Sequence, residues 1–346
     1  MKAVVIHAAG DLRVDDIKAD NEQTLGPSDV RVRIGAGGIC GSDLHYFRHG
    51  GFGTVRLKEP MILGHEIAGT VLAIGRDVVA VSPGQKVAVN PSLACGHCRF
   101  CRLGLHNHCL EMRFYGSAMR FPHVQGGFRE VLTCTDEQVV PVPDHVSLTE
   151  AAFAEPLAVC LHAVNQAGSL LGKRVLVTGS GPIGVLTAMA ARRAGAAEIV
   201  VTDVVEAPLA IARAVGADRT INVQAEPQAL DAFTPEKGQF DVMFEAAGSA
   251  STLLAGLQIV RPRGRLVLVG QGAEATLSMS LIVTKELELR GSFRFDDEFR
   301  TAVGFIASRL IDVRPLLTDV IPVDEAQRAF EQAADKSRSM KIQLAF

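Results

Sequence analysis

At 346 residues, 48% of them hydrophobic and 21% charged, the chain carries more apolar material than one ordinary core holds, and two domains are expected. A net charge of −3 with no long basic run excludes a nucleic-acid binder. No apolar stretch approaches the ~20 residues of a membrane-crossing helix, and seven cysteines, four of them clustered, speak for a metal rather than a disulfide framework.

The chain begins with Met1-Lys2-Ala3-Val4-Val5-Ile6-His7, a short apolar run that soon meets Asp and Arg. It reads as a strand and not as an export signal, so a cytoplasmic protein is expected. Up to about residue 150, short β-branched runs recur between glycines and prolines: Val30–Ile34, Ala68–Ile74, Lys86–Asn90, Glu130–Thr133 and Val139–Val142. That pattern predicts an all-β, barrel-like domain over residues 1–150. Within it, Gly38-Ile39-Cys40-Gly41-Ser42-Asp43-Leu44-His45 and Gly64-His65-Glu66 each carry groups that could bind metal or move protons. Taken singly, each is an ordinary Gly-rich turn.

Cys95-Gly96-His97-Cys98-Arg99-Phe100-Cys101, with Cys109 eight residues on, places four thiols within fifteen positions. A closed tetrahedron of thiolates at Zn–S distances of ~2.3 Å suits a structural zinc and leaves no open coordination position. His97, His106 and His108 then read as exposed spacers, because Cys95, Cys98, Cys101 and Cys109 already complete the set.

The character changes near Thr149. Buried strands at Arg174–Thr178, Glu198–Thr202, Arg219–Asn222, Phe240–Glu245, Leu266–Val269 and Glu288–Gly291 alternate with helical stretches, which predicts a parallel α/β sheet over 151–295. Arg261-Pro262-Arg263-Gly264-Arg265 reads as a solvated turn leading into the fifth of these strands. Directly after Arg174–Thr178 comes Gly179-Ser180-Gly181-Pro182-Ile183-Gly184, followed by a helix from Val185 to about Ala194. The first glycine allows a tight turn, the second admits a pyrophosphate, and the third lets helix and strand pack closely. Pro182 and Ile183 open the helix whose free N–H groups and positive dipole end would face the phosphates. Asp203 ends the next strand, nineteen residues after Gly184, where a carboxylate would accept ribose hydroxyls and repel a 2′-phosphate. With Val204 and Val205 beside it, NAD is favoured over NADP. A last helix near Asp297–Ser308 and a tail over Lys341–Phe346 complete the chain. Cys134, Cys160 and His162 read as core residues.

Taken together, Cys40, Gly64-His65-Glu66, the four-cysteine lobe and the dinucleotide fingerprint resemble the zinc-containing medium-chain dehydrogenases, in the family's order and across essentially the whole chain. The resemblance implies a GroES-like β-barrel catalytic domain, residues 1–150 completed by about 296–346, joined to a Rossmann domain. It implies two zinc ions per subunit together with NAD. Cys40 and His65 would be ligands of a catalytic zinc, and the third ligand would be Glu155 or Glu66; both carboxylates are expected close to the metal, without a ranking. Ser42 and His45 match the family's relay, which takes the alcohol proton through the nicotinamide ribose to solvent. His45-Tyr46 and Gly291-Ser292-Phe293-Arg294-Phe295 resemble the polyol branch, where Tyr46, Arg294 and Phe295 would line the substrate cleft. Met112–Met119, Phe121-Pro122-His123, Gly126-Gly127-Phe128 and Phe153–Val159 resemble the bacterial L-idonate 5-dehydrogenase group, which interconverts L-idonate and 5-keto-D-gluconate. A sugar acid or polyol substrate and a homo-oligomer, dimer or tetramer, are therefore expected. The alternatives are a sorbitol- or xylitol-type enzyme, a non-catalytic nucleotide-binding relative, and a thiol-redox protein using Cys95 and Cys98. An acid substrate calls for a cation, for which Arg294 is the first candidate and Arg113 and Arg120 the others.

Overall fold

Along Asp29–Gly38, Val30, Val32, Ile34 and Ala36 are buried while Arg31 and Arg33 between them stay more open. This alternation is that of a strand with one face on a core. The computed structural model describes residues 1–18, 24–272 and 274–346, and in it Asp29–Gly38 is the organising strand of a seven-stranded sheet. Val139–Pro141, Lys86–Val89, Glu66–Ile74, Asp29–Gly38, Lys341–Ala345 and Leu317–Pro322 lie side by side, and Val131–Thr135 also pairs with Asp29–Gly38. A smaller sheet joins Asp11–Asp16, Lys2–Ala8 and Met61–Ile62. Ile6, Ile34, Met61, Leu63, Ile67, Phe128 and Phe330 fill the core beneath.

The chain divides into two compact units: Met1–Glu155 with Phe299–Asp335 and Lys341–Phe346, and Pro156–Glu298 with Lys336–Met340. In the second unit, six strands run parallel in the order Arg219–Asn222, Glu198–Asp203, Arg174–Thr178, Phe240–Glu245, Val260–Leu268, Glu288–Gly291. This is the 3-2-1-4-5-6 order of a doubly wound dinucleotide fold. Its inner strands are continuous apolar runs, with Val175, Leu176 and Val177 fully buried, as expected where helices cover both faces of a sheet.

Three sequence expectations need correction. Arg261–Arg265 is not a free turn: it lies within the strand Val260–Leu268, as an irregularity between the pairs Phe240–Val260 and Val242–Arg265. Arg263 adopts a left-handed φ of 59° there, and Arg261 pairs with Asp241 at 2.8 Å. His162 is more than a core filler: its Nδ1 lies 3.0 Å from Glu298, which also accepts from Asn165. Gly41–His49, which the sequence presented only as a Gly-rich turn, is a helix.

One register fixes the functional centre. Gly38 lies opposite Glu66 on one side and Gln343 on the other, so residues far apart in sequence meet at the end of the same strand. A Cβ on Gly38 would collide with Glu66 Oε2, which is why this position carries glycine. Gly38→Ala is expected to displace Glu66 and destabilise the fold by ~1–3 kcal/mol, the usual cost of overpacking. A thermal melt against wild type, together with activity, checks it.

Candidate active site and zinc centres

Cys40 caps the N-terminus of Gly41–His49, and Asp43 Oδ2 accepts the Cys40 N–H at 3.0 Å in return, a capping box that sets the helix beside the sheet. Asp43 Oδ1 also accepts the Gly64 N–H at 3.3 Å and lies 3.8 Å from His65 Nδ1. Asp43 thus ties the two Gly-rich turns together. His65 and Glu66 are buried at 5% and 1% exposure, and one donor atom from each of Cys40, His65 and Glu66 falls within 4.8 Å of the others.

A buried cation completes the cluster. Lys341 donates to Glu66 Oε1 and Oε2, both at 2.8 Å, and to the Ile39 carbonyl at 3.2 Å. Glu155, at the start of the helix Ala154–Ala167, is buried nearby, within electrostatic reach of His65, Glu66, Cys40 and Lys341. Burial, then Glu66, push the Cys40 thiol up to about 11, with Lys341 pulling the other way. Burial pushes the Glu155 carboxyl up to about 8, reinforced by Glu66 and Cys40 and opposed by His65 and Lys341. Asp43 is also raised, mainly by burial. Burial is thus the main influence against ionisation here, and a divalent cation would offset it. A soft thiolate, an imidazole and carboxylates form a donor set suited to zinc, and the residues fit the metal.

Ser42 and His45 lie one helical turn apart, Ser42 half-buried and His45 exposed. The sequence missed Asp43 and Lys341. Asp43 was findable, since a histidine ligand commonly leans on a carboxylate; Lys341, in a distant strand, carried no local signal.

The second cysteine set closes on itself. Cys95 and Cys101 Sγ are 4.0 Å apart and Cys98 and Cys101 Sγ 3.5 Å, close to the ~3.8 Å edge of a tetrahedron with 2.3 Å Zn–S bonds. Backbone N–H groups of Cys95 and Glu111 point at Cys109 Sγ, and that of Cys98 at Cys95 Sγ. Hydrogen bonds from the Cys101 and Leu110 backbone bring the Cys98 thiol down to about 6, while burial lifts Cys101 to about 12. All seven cysteines are free thiols.

In the parallel unit, Gly179 has φ +88° and Gly184 packs so closely on the Gly179 carbonyl that no side chain fits. The Cβ direction of Gly181 is open, leaving backbone accessible beside the helix Pro182–Arg193, as a pyrophosphate requires. Asp203 Oδ2 accepts from Ser180 N–H at 2.6 Å and Ser180 Oγ at 2.9 Å, and Oδ1 from the Val204 and Val205 N–H groups.

Two expected substrate residues are turned inward. Tyr46 is 1% exposed and its hydroxyl accepts the Ala118 N–H at 2.9 Å, and Phe295 is 2% exposed. Arg294 is half-buried with φ +54°, its guanidinium 5.0 Å from the Phe293 ring. Arg120 is occupied by Glu111 and the Leu110 carbonyl, whereas Arg113 is exposed.

Residues 26–144 match the alcohol dehydrogenase GroES-like domain, and residues 182–308 match the zinc-binding dehydrogenase family. The chain is 45% identical to L-idonate 5-dehydrogenase (NAD(P)(+)) of Escherichia coli strain K12 over 331 residues, 95% of each chain. It is 36% identical to sorbitol dehydrogenase of Gallus gallus over 346 residues, 99% of this chain and 95% of the relative. The crystal structure of L-idonate 5-dehydrogenase from Escherichia coli K-12 superposes with a TM-score of 0.94 at 43% identity, covering 100% of this chain and 98% of that one. The chain belongs to the zinc-binding, medium-chain alcohol dehydrogenase family. It is a dehydrogenase that uses zinc and a nicotinamide dinucleotide to act on a CH–OH group.

The two cysteine-bearing sites should respond differently to mutation. Cys98→Ser is expected to lower Tm and make the protein sensitive to chelators, because structural zinc contributes folding free energy. Cys40→Ser is expected to abolish turnover with much less loss of Tm, as differential scanning fluorimetry with and without EDTA will show.

Proposed function

We propose that the protein oxidises L-idonate to 5-keto-D-gluconate with NAD. What supports the substrate is the 45% identity to the Escherichia coli enzyme of that name over 95% of both chains, joined to the donor cluster of Cys40, His65 and Glu66 with the buried Glu155 nearby. The sorbitol dehydrogenases, at 36% identity and below, support a neutral-polyol enzyme less well.

Cys40, His65 and one carboxylate would hold the catalytic zinc, and Cys95, Cys98, Cys101 and Cys109 a structural one. Glu66 is committed to Lys341 through both oxygens. Glu155 makes no hydrogen bond among the described residues, which supports Glu155 as the carboxylate free to reach the metal or its bound water. Bound zinc supplies Lewis acidity towards the alcohol oxygen, and nicotinamide supplies the hydride acceptor. Ser42 Oγ would take the hydroxyl proton and pass it through the nicotinamide ribose towards His45 and solvent, an order that the half-buried Ser42 and the exposed His45 support.

Arg294 is our candidate for the substrate carboxylate. A non-glycine residue with φ +54° is backbone strain of the kind that clusters at ligand sites. A homo-oligomer is proposed as well: the outer strand Glu288–Gly291 pairs on one side only among the described residues, and Met279 and Val283 are each 68% exposed. No helix among the described residues is long and apolar enough to cross a membrane. That none of the seven cysteines is joined in a disulfide supports a reducing, cytoplasmic setting.

A guanidinium grips a carboxylate bidentately and an ammonium does not. Arg294→Lys is therefore expected to lower kcat/KM for L-idonate at least tenfold and that for a neutral polyol by less than threefold. Equal losses would give Arg294 a general role, and a wild type active on sorbitol but not L-idonate would overturn the substrate.

For the cofactor, Asp203 supports a preference for NAD over NADP of roughly tenfold or more, the worth of one charge-assisted hydrogen bond. Asp203→Ala is expected to shrink that ratio by weakening NAD. Equal wild-type kcat/KM with both cofactors, a result compatible with the NAD(P)(+) of the Escherichia coli relative, would refute this assignment of Asp203.

A further inference from the structure

Glu245 ends the strand Phe240–Glu245 beside Thr178 of the strand that leads into the dinucleotide loop. It is 4% exposed, and no lysine or arginine pairs with it among the described residues. Its carboxylate is held by backbone alone, with one hydroxyl. Oε1 accepts from Ala247 N–H at 3.0 Å, Ser249 N–H at 3.3 Å and Thr252 Oγ1 at 2.9 Å, and Oε2 accepts from Gly248 N–H at 3.2 Å. One side chain thus gathers three successive N–H groups of the loop that follows its own strand. A buried carboxylate without a cation is costly unless hydrogen-bonded in this way, and a fold that needed only a filled core would be served by an apolar residue.

The gathered loop is the wall of the dinucleotide turn. A Cβ on Gly179 would lie 2.8 Å from Ala247 N and 2.9 Å from its Cα, so the loop and the first fingerprint glycine are in backbone contact. Ala246 N–H donates to the Thr178 carbonyl at 2.9 Å, and the Glu245 carbonyl accepts Val269 N–H and Gly270 N–H, both at 2.9 Å. Gly248 in turn packs against the backbone of Gly270 and Gly272. The carboxyl ends of three adjacent strands, Arg174–Thr178, Phe240–Glu245 and Val260–Leu268, are therefore joined by main-chain hydrogen bonds, and the Glu245 carboxylate holds the loop that continues the middle one. In doubly wound sheets the dinucleotide lies across the carboxyl ends of the strands.

We infer that Glu245 is a positioning residue for the cofactor: it holds the Ala246–Ser249 loop against Gly179 and so shapes the surface on which the dinucleotide rests. This rests on the dinucleotide reading of the same unit. Because Glu245 acts on the shape of the site and not on the 2′ position, its loss weakens NADH and NADPH alike, unlike the loss of Asp203.

The test is fluorescence titration of NADH and of NADPH into wild type, Glu245→Gln and Thr252→Val, with kcat at saturating NAD and the Tm of the cofactor-free protein. Glu245→Gln turns a carboxylate that only accepts into an amide that presents an NH2 to N–H donors. It is expected to raise Kd for both dinucleotides about tenfold while kcat stays within twofold. Thr252→Val removes, without changing shape, a hydroxyl shared between Glu245 Oε1 and the Ser249 carbonyl at 2.7 Å, and is expected to raise both Kd values up to two- to threefold; it carries the test if Glu245→Gln does not fold. A fall in Tm with unchanged Kd values would make Glu245 merely structural and overturn the inference, as would a loss confined to one dinucleotide. Failure of the wild type itself to bind NADH would instead overturn the dinucleotide reading.

Discussion

A buried excess of acidic groups is the constraint around which the first unit is arranged. Cys40, Asp43, Glu66 and Glu155 share an interior where, among the described residues, Lys341 is the one permanent cation that acts on them. Ionising such groups away from water costs several kcal/mol each unless they are paired. The chain meets part of that cost with Lys341 on Glu66 and with backbone N–H groups on Asp43. The remainder appears as a thiol and a carboxyl held protonated at neutral pH, at about 11 and about 8. A divalent cation held by these groups would favour the ionised form of both, which is how the cluster suits zinc.

The same logic, with opposite means, organises the second unit. There the carboxylates of Asp203 and Glu245 are held by backbone N–H groups and hydroxyls of Ser180 and Thr252. Such donors fix loop geometry without adding a competing cation beside a pyrophosphate. Asp203 reaches back to Ser180 inside the fingerprint, so the residue we propose for the ribose also braces the loop proposed for the phosphates.

Much of this was legible in the sequence because it is local. The period-two burial of Asp29–Gly38, the apolar runs of the parallel strands and the glycine spacing at 179–184 each follow from neighbours within a few residues. The four-cysteine lobe was legible for the same reason. What escaped was set by contacts across the chain. Lys341 joins Glu66 only because Gly38 pairs with both Glu66 and Gln343, and no spacing reveals a register. The partner of the Tyr46 hydroxyl, the Ala118 N–H, lies 72 residues on and likewise left no local sign. The helix Gly41–His49 was hidden because its start depends on Cys40 and Asp43 exchanging cap contacts, where glycine at its first position argues for a turn.

The central claim is that one chain builds two chemically different zinc sites, a closed one of four thiolates and an open one with a single thiolate. Zinc K-edge X-ray absorption on purified protein, with zinc quantified on the same sample, tests it directly. Two zinc ions per chain are expected, with an average of about two and a half sulfur neighbours per zinc at about 2.3 Å and nitrogen and oxygen making up the rest. One zinc per chain in an all-sulfur environment would contradict it, because the buried cluster at Cys40, His65, Glu66 and Glu155 would then have no metal to answer its charge.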